Sequence, residues 1–139
     1  MSQGTFALHP QLSADTFVVG DWPLCRVLRM NDRAFPWLIL VPRVADIREI
    51  IDLSDADQLL LMGEISRASR ALKALLNPDK LNVAALGNAV PQLHVHVIAR
   101  YRTDPAWPRP IWGVQAPVAF GGDADAELAK LRPALAPYQ

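Results

Sequence analysis

Gln92-Leu93-His94-Val95-His96-Val97-Ile98-Ala99-Arg100 alternates polar and apolar side chains over its first six positions, as a β-strand with two unlike faces does. Gln92, His94 and His96 then project to one side, and Leu93, Val95 and Val97 to the other, toward a core. A rise of ~3.3 Å per residue sets the two histidines ~6.5–7 Å apart along the strand. Two of the chain's three histidines thus share one face, with a carboxamide beside them.

Outward from this strand the chain is well punctuated. Gly87-Asn88-Ala89-Val90-Pro91 reads as a short loop, and Leu81 to Leu86 as a strand before it. Further upstream, Leu61, Ile65, Ala68, Leu72 and Leu75 recur at steps of four and three, which predicts a long amphipathic helix over Ser54 to Asn77. Ser54 suits its N-cap, Asp55 and Asp57 suit the positive end of its dipole, and Asn77-Pro78 stops it. Glu64, Arg67, Arg70 and Lys73 fall on the opposite, solvated side. Leu24 to Met30 alternates as a strand, and Trp37 to Val41 reads as one buried on both faces; a hairpin joins the two. Phe17 to Val19 suits a short strand before Gly20.

Past Arg100 the character changes. Pro105, Pro108, Pro110 and Pro117 fall with Trp107 and Trp112 between Asp104 and Pro117, a proline density that forbids regular helix or sheet. The two tryptophans suit packing against the body better than closure over a ligand. Asp123 to Ala136 forms a short terminal helix with Leu128 and Leu131 inward. The order implies an α+β fold, an antiparallel sheet with one long helix and a short C-terminal helix. The expectation is one domain over residues 1–139, with its core in 17–100 and the irregular segment and terminal helix in 101–139.

Composition sets limits. With 139 residues and 51 % hydrophobic content the chain can bury a full core. No apolar run reaches the ~20 residues of a membrane span, and the start lacks a signal-peptide pattern, so a cytoplasmic protein with no membrane partner is expected. Fourteen basic residues balance fourteen acidic ones. A nucleic-acid partner is not expected without a basic excess, although a few arginines in one cleft suffice for a compact anion. The single cysteine, Cys25, lies in an apolar stretch and reads as a buried small side chain.

The histidine pair has three readings on its residues alone. It can be polar filler on a half-exposed strand. It can ligate a metal, but zinc would need a third protein ligand, and the only remaining histidine is the distant His9. It can also act on phosphate, since neutral imidazole is a nucleophile near pH 7 and a second histidine can hold a neighbouring oxygen. For that chemistry Gly87-Asn88 offers donors and Arg100 a cation, unless Arg100 is an ordinary surface arginine. Arg26 and Arg29 alternate, so only one of them can point at such a cleft.

The run Gly87 to Arg100 resembles the signature of the histidine-triad (HIT) superfamily, three histidines alternating with apolar residues after a glycine and an amide or hydroxyl residue. The resemblance extends upstream through Leu28-Arg29-Met30-Asn31, Val41-Pro42, Leu53-Ser54 and the long helix, in the family's order. It implies an antiparallel sheet with helices and a homodimer. It also implies hydrolysis or transfer of nucleotides from dinucleoside polyphosphates or nucleoside phosphoramidates. His94 matches the nucleophile that forms a nucleotidyl-histidine at the α-phosphate, and His96 the histidine that orients the phosphate and leaving group. Asn88 matches a phosphate contact and Asn31 a ribose contact, while Gln92 and Arg100 complete the implied substrate-binding set. No metal site and no tightly bound cofactor are implied; Mg²⁺ can accompany a polyphosphate substrate.

Two departures stand out. Gln92 occupies the place of the first histidine, and glutamine carries no proton near neutral pH. Trp37 stands where many members have a Pro-Gly-His type turn. An incomplete triad also suits a second reading, a nucleotide-binding module without turnover.

Overall fold

The structure, a computed structural model, describes residues 4–139. Its centre is a five-stranded antiparallel sheet of β1 (Thr16–Asp21), β2 (Cys25–Met30), β3 (Trp37–Pro42), β4 (Lys80–Ala84) and β5 (Val95–Arg100). The spatial order is β1-β2-β3-β5-β4. The expected hairpin is the β2–β3 pair, in register from Cys25 against Pro42 to Arg29 against Leu38. β3 lies mid-sheet and every residue of it is buried, as its unbroken apolar run requires.

Two hydrophobic clusters cover the two faces. Val95 and Val97 of β5 face α2 (Asp55–Leu76) and α3 (Ala124–Leu135), where Leu61, Ala68, Leu72, Leu128 and Leu131 complete the core. Full burial of leucines such as Leu61 and Leu72 stabilises by roughly 1.5–3 kcal/mol each. The other face, with Leu28, Trp37, Ile39 and Ile98, is covered by Leu12 of α1 (Pro10–Asp15) and by Phe35, Ala106 and Ile111. Phe6 and Leu8 of the N-terminal segment pack on it as well. The proline-rich stretch is therefore ordered cover for the sheet, held by its few apolar side chains.

The long helix begins as expected: Ser54 Oγ accepts from Asp57 N at 3.1 Å. It ends at Asn77, whose left-handed φ of 47° suits asparagine. Two expectations for it are corrected. Leu75 is 37 % exposed, and Leu76 packs on the core instead. Glu64 is not on a solvated face: it is 5 % exposed and accepts from the N–H groups of Leu24 and Cys25, satisfying the start of β2. Arg67 likewise lies over the Trp22 ring at 4.1 Å and donates to Leu135 O and Pro137 O.

Other boundaries shift. The fifth strand starts at Val95, not Leu93, because the Leu93 N–H leaves the ladder for Ile47 O. The fourth ends at Ala84 rather than Leu86. α1 was not legible in the weakly patterned N-terminal residues; it begins on Pro10, behind the His9 cap. At the sheet's β1 edge the C-terminal residues close over the strand. Arg132 donates to Val18 O and Val19 O, Gln139 N donates to Asp21 O, and the Tyr138 ring lies on Gly20, where any side chain would collide with it.

Candidate active site

The entry to β5 positions His94. Just outside the ladder, its Nδ1 lies 2.7 Å from the carbonyl oxygen of Gln92. A carbonyl only accepts, so Nδ1 carries a proton, and in the neutral ring the lone pair is on Nε2. Two residues on, His96 is set in the opposite tautomer. The indole Nε1–H of Trp37, a donor only, reaches His96 Nδ1 at 3.0 Å, so the ring proton of His96 sits on Nε2. One chain thus presents a bare imidazole nitrogen and an N–H donor side by side, with ring centroids 4.9 Å apart and the rings edge to face.

Burial reinforces the second setting. His96 is 6 % exposed, with Trp112 5.1 Å from its ring and Trp37 behind. Desolvation, with His94 adding to it, pushes its pKa down to about 4, so it is neutral at pH 7. His94 is 7 % exposed. The half-exposed strand of the filler reading is absent here; both histidines are buried polar groups with assigned partners.

His94 forms part of the wall of a cleft of about 280 Å³, with Arg48, Ile50, Leu86, Gly87 and Leu93 among its other walls. Gly87 turns the backbone there with a φ of 73°, a conformation that favours glycine. Asn88 follows it in the chain and is exposed, its side chain without a hydrogen-bond partner among the described residues. A second compartment, of about 270 Å³, shares Arg48 as a lining residue and is otherwise walled by Thr5, Ala7, His9, Asp46 and Gln92 among others.

The other expected site residues are placed differently. Gln92 turns its carboxamide away from the histidines, donating to Ala7 O at 2.9 Å and accepting from His9 N at 2.8 Å. Arg100 is corrected to a structural role. It is 2 % exposed, and its guanidinium is held by Asp104, Asn82 Oδ1 and Arg109 O. Asn31 does not meet His94 within this chain: by strand register it lies level with Ala99, two strands away, so roughly 15–20 Å separate them. Its Oδ1 accepts from Phe120 N, fixing the segment before α3. Neither Arg26 nor Arg29 points at the cleft, because Asp21 pairs with the first and Glu127 with the second.

Among the described residues no three His, Cys, Asp or Glu side chains converge as a metal site, and His9 Nδ1 instead accepts from Gln11 N at the start of α1. Cys25 is buried, and desolvation followed by Glu64 pushes its thiol far up. Two site residues escaped the sequence reading. Trp37 reads as strand core and as a departure from the family pattern, and nothing in its own neighbourhood marks its N–H as the partner of His96. Arg48, on the connection between β3 and α2, had only its charge as a signal.

The HIT domain family model matches residues 11–103. A histidine triad protein from Bradyrhizobium japonicum is 52 % identical, covering 95 % of this chain and 99 % of its own, with a TM-score of 0.91. One from Marinobacter aquaeolei is 53 % identical over 95 % and 97 %, with a TM-score of 0.92. A third, from Sinorhizobium meliloti, is 40 % identical over 96 % and 97 %, with a TM-score of 0.88. None of the proteins with curated functions matches the chain. The family match over two thirds of the sequence, a range that includes the strand that sets the two histidines, places this chain in the histidine-triad family.

Proposed function

We propose that the protein cleaves or transfers nucleotides at the α-phosphate through a nucleotidyl-histidine on His94. Dinucleoside polyphosphates and nucleoside phosphoramidates are the substrate classes. One observation carries the reading: the paired tautomers of the neutral rings, with the lone pair of His94 and the proton of His96 both on Nε2, each fixed by a partner within the chain. The His94 lone pair attacks phosphorus while the bond to the leaving group breaks, and the electron pair departs with that group. The Nδ1–H held by Gln92 O stabilises the cationic imidazole that forms. His96, neutral, offers a hydrogen bond to a phosphate oxygen rather than a proton. Water or another nucleophile then breaks the P–N bond and returns His94 to its starting state. A polyphosphate leaves as an anion and asks for no proton, which suits this pair better than amine departure.

No tightly bound cofactor is needed for these steps, and Mg²⁺ can accompany a polyphosphate. A cytoplasmic homodimer fits the exposed apolar side chains Leu59 and Met62 of α2, which nothing among the described residues of one copy covers; among those residues no helix is long and apolar enough to cross a membrane. Intact-mass spectrometry tests the chemistry, with samples quenched seconds after mixing with diadenosine polyphosphates or adenosine phosphoramidate. An added nucleotidyl mass on wild type, absent from His94→Ala, is expected. Full turnover by His94→Ala would sink the proposal.

A second reading, a nucleotide-binding module without turnover, draws on the Gln92 carboxamide, which is occupied by the N-terminal segment and offers nothing to a substrate. Tight AMP binding by calorimetry with no cleavage of any of these substrates would favour it.

A further inference from the structure

We infer, on the nucleotide reading above, that Gln92 is a positioning residue whose carboxamide clips the N-terminal strap 5–9 in place and so builds a leaving-group compartment beside His94.

The clip has the chemistry of a neighbouring strand. Gln92 Nε2 donates to Ala7 O at 2.9 Å and Oε1 accepts from His9 N at 2.8 Å, so one planar amide satisfies both backbone groups. An imidazole carries its donor and its acceptor on opposite ring edges and cannot meet both from one side. Position 92 therefore does work here that histidine could not do. The strap alternates: Phe6 and Leu8 pack on the sheet face, while Thr5, Ala7 and His9 line the second compartment.

That compartment shares Arg48 with the His94 cleft. Among the described residues the Arg48 guanidinium has no hydrogen-bond or ion-pair partner, unlike Arg26, Arg29, Arg43 and Arg100. A phosphate bound at His94 thus has a cation on a wall shared with a second space of about 270 Å³, beside the strap. Polyphosphate is the leaving-group chemistry that fits: it extends beyond the reacting phosphorus and carries charge for Arg48. A small amine does not reach the strap.

The test compares equilibrium binding of AMP with that of a non-hydrolysable diadenosine tetraphosphate analogue, on the full chain. Gln92→Ala is expected to weaken the analogue about tenfold more than AMP. His9→Pro removes the N–H that Oε1 accepts, and its backbone φ of −54° already suits proline. It should show the same selective loss, and the double variant should add little. Gln92→His should not rescue. Equal losses for both ligands, or none, would overturn the compartment while leaving the nucleotide reading intact. Wild type binding neither ligand would overturn both, and faster amide exchange at His9 in Gln92→Ala would still read the clip by itself.

Discussion

The two ends of β5 set buried polar side chains on one face of one strand and leave them in opposite conditions. At the entry, His94 and His96 each have one ring nitrogen bonded within the chain and the other, Nε2, without a partner among the described residues. At the exit, Arg100 is gripped by Asp104, which also accepts from the N–H groups of Tyr101, Ala106 and Trp107. Burial alone would raise the Asp104 carboxyl, but Arg100 and those N–H groups outweigh it and hold it below its ordinary value. Alternation gives the face on which a polar residue stands. Whether its donors are spent decides whether it serves the fold or a ligand.

The contrast can be broken most sharply at His94. His94→Asn should lower turnover at least about 10⁴-fold, while the melting temperature stays near that of wild type. Arg100→Leu should do the reverse, costing about 4 kcal/mol in denaturant unfolding because Asp104 loses its buried partner, with AMP affinity preserved in the folded fraction. Ordinary nucleotide turnover by His94→Asn, or an Arg100→Leu protein of wild-type stability, would erase the distinction.

Acid sharpens it from the histidine side. The folded-state pKa of His96 is about 4 against an ordinary 6.5, so in that interval the unfolded chain binds the proton first. The contribution of the neutral ring is whole above about 6.5 and fades as pH falls toward 4. Wild type should lose about 2 kcal/mol between pH 7 and pH 4.5 that a His96→Asn protein does not lose. The smallest effect belongs to Trp37→Phe, which frees His96 Nδ1 at a cost of about 1 kcal/mol. In nitrogen NMR the His96 proton should then divide between its two nitrogens, instead of residing on Nε2.

Local pattern carried the frame: the helix stripe Leu61, Ala68, Leu72, the all-buried β3 and the alternation through His96 are readable because their causes lie within a few residues. What escaped depends on partners distant in sequence. Glu64 looked solvated until Leu24 and Cys25 brought their N–H groups to it, Trp37 meets His96 across 59 positions, and Gln92 meets Ala7 across 85. Arg100 shows the same limit in reverse. Its charge suggested a ligand, and only the fold of the proline-rich segment supplied Asp104 and Arg109 O instead.

The sheet's two outer strands bear on assembly. Along β1 the carbonyls of Val18, Val19 and Asp21 are taken by Arg132 and Gln139 of the C-terminal segment, whereas on β4, with Val83 exposed, the Leu81 carbonyl is met by the strand's own exposed Lys80 and no other segment covers the strand among the described residues. The β4 side is therefore the more open of the two to a strand from another molecule. Two copies joined there by a two-fold axis use up each other's open side, so association of that kind ends in a closed pair and cannot propagate into a fibre.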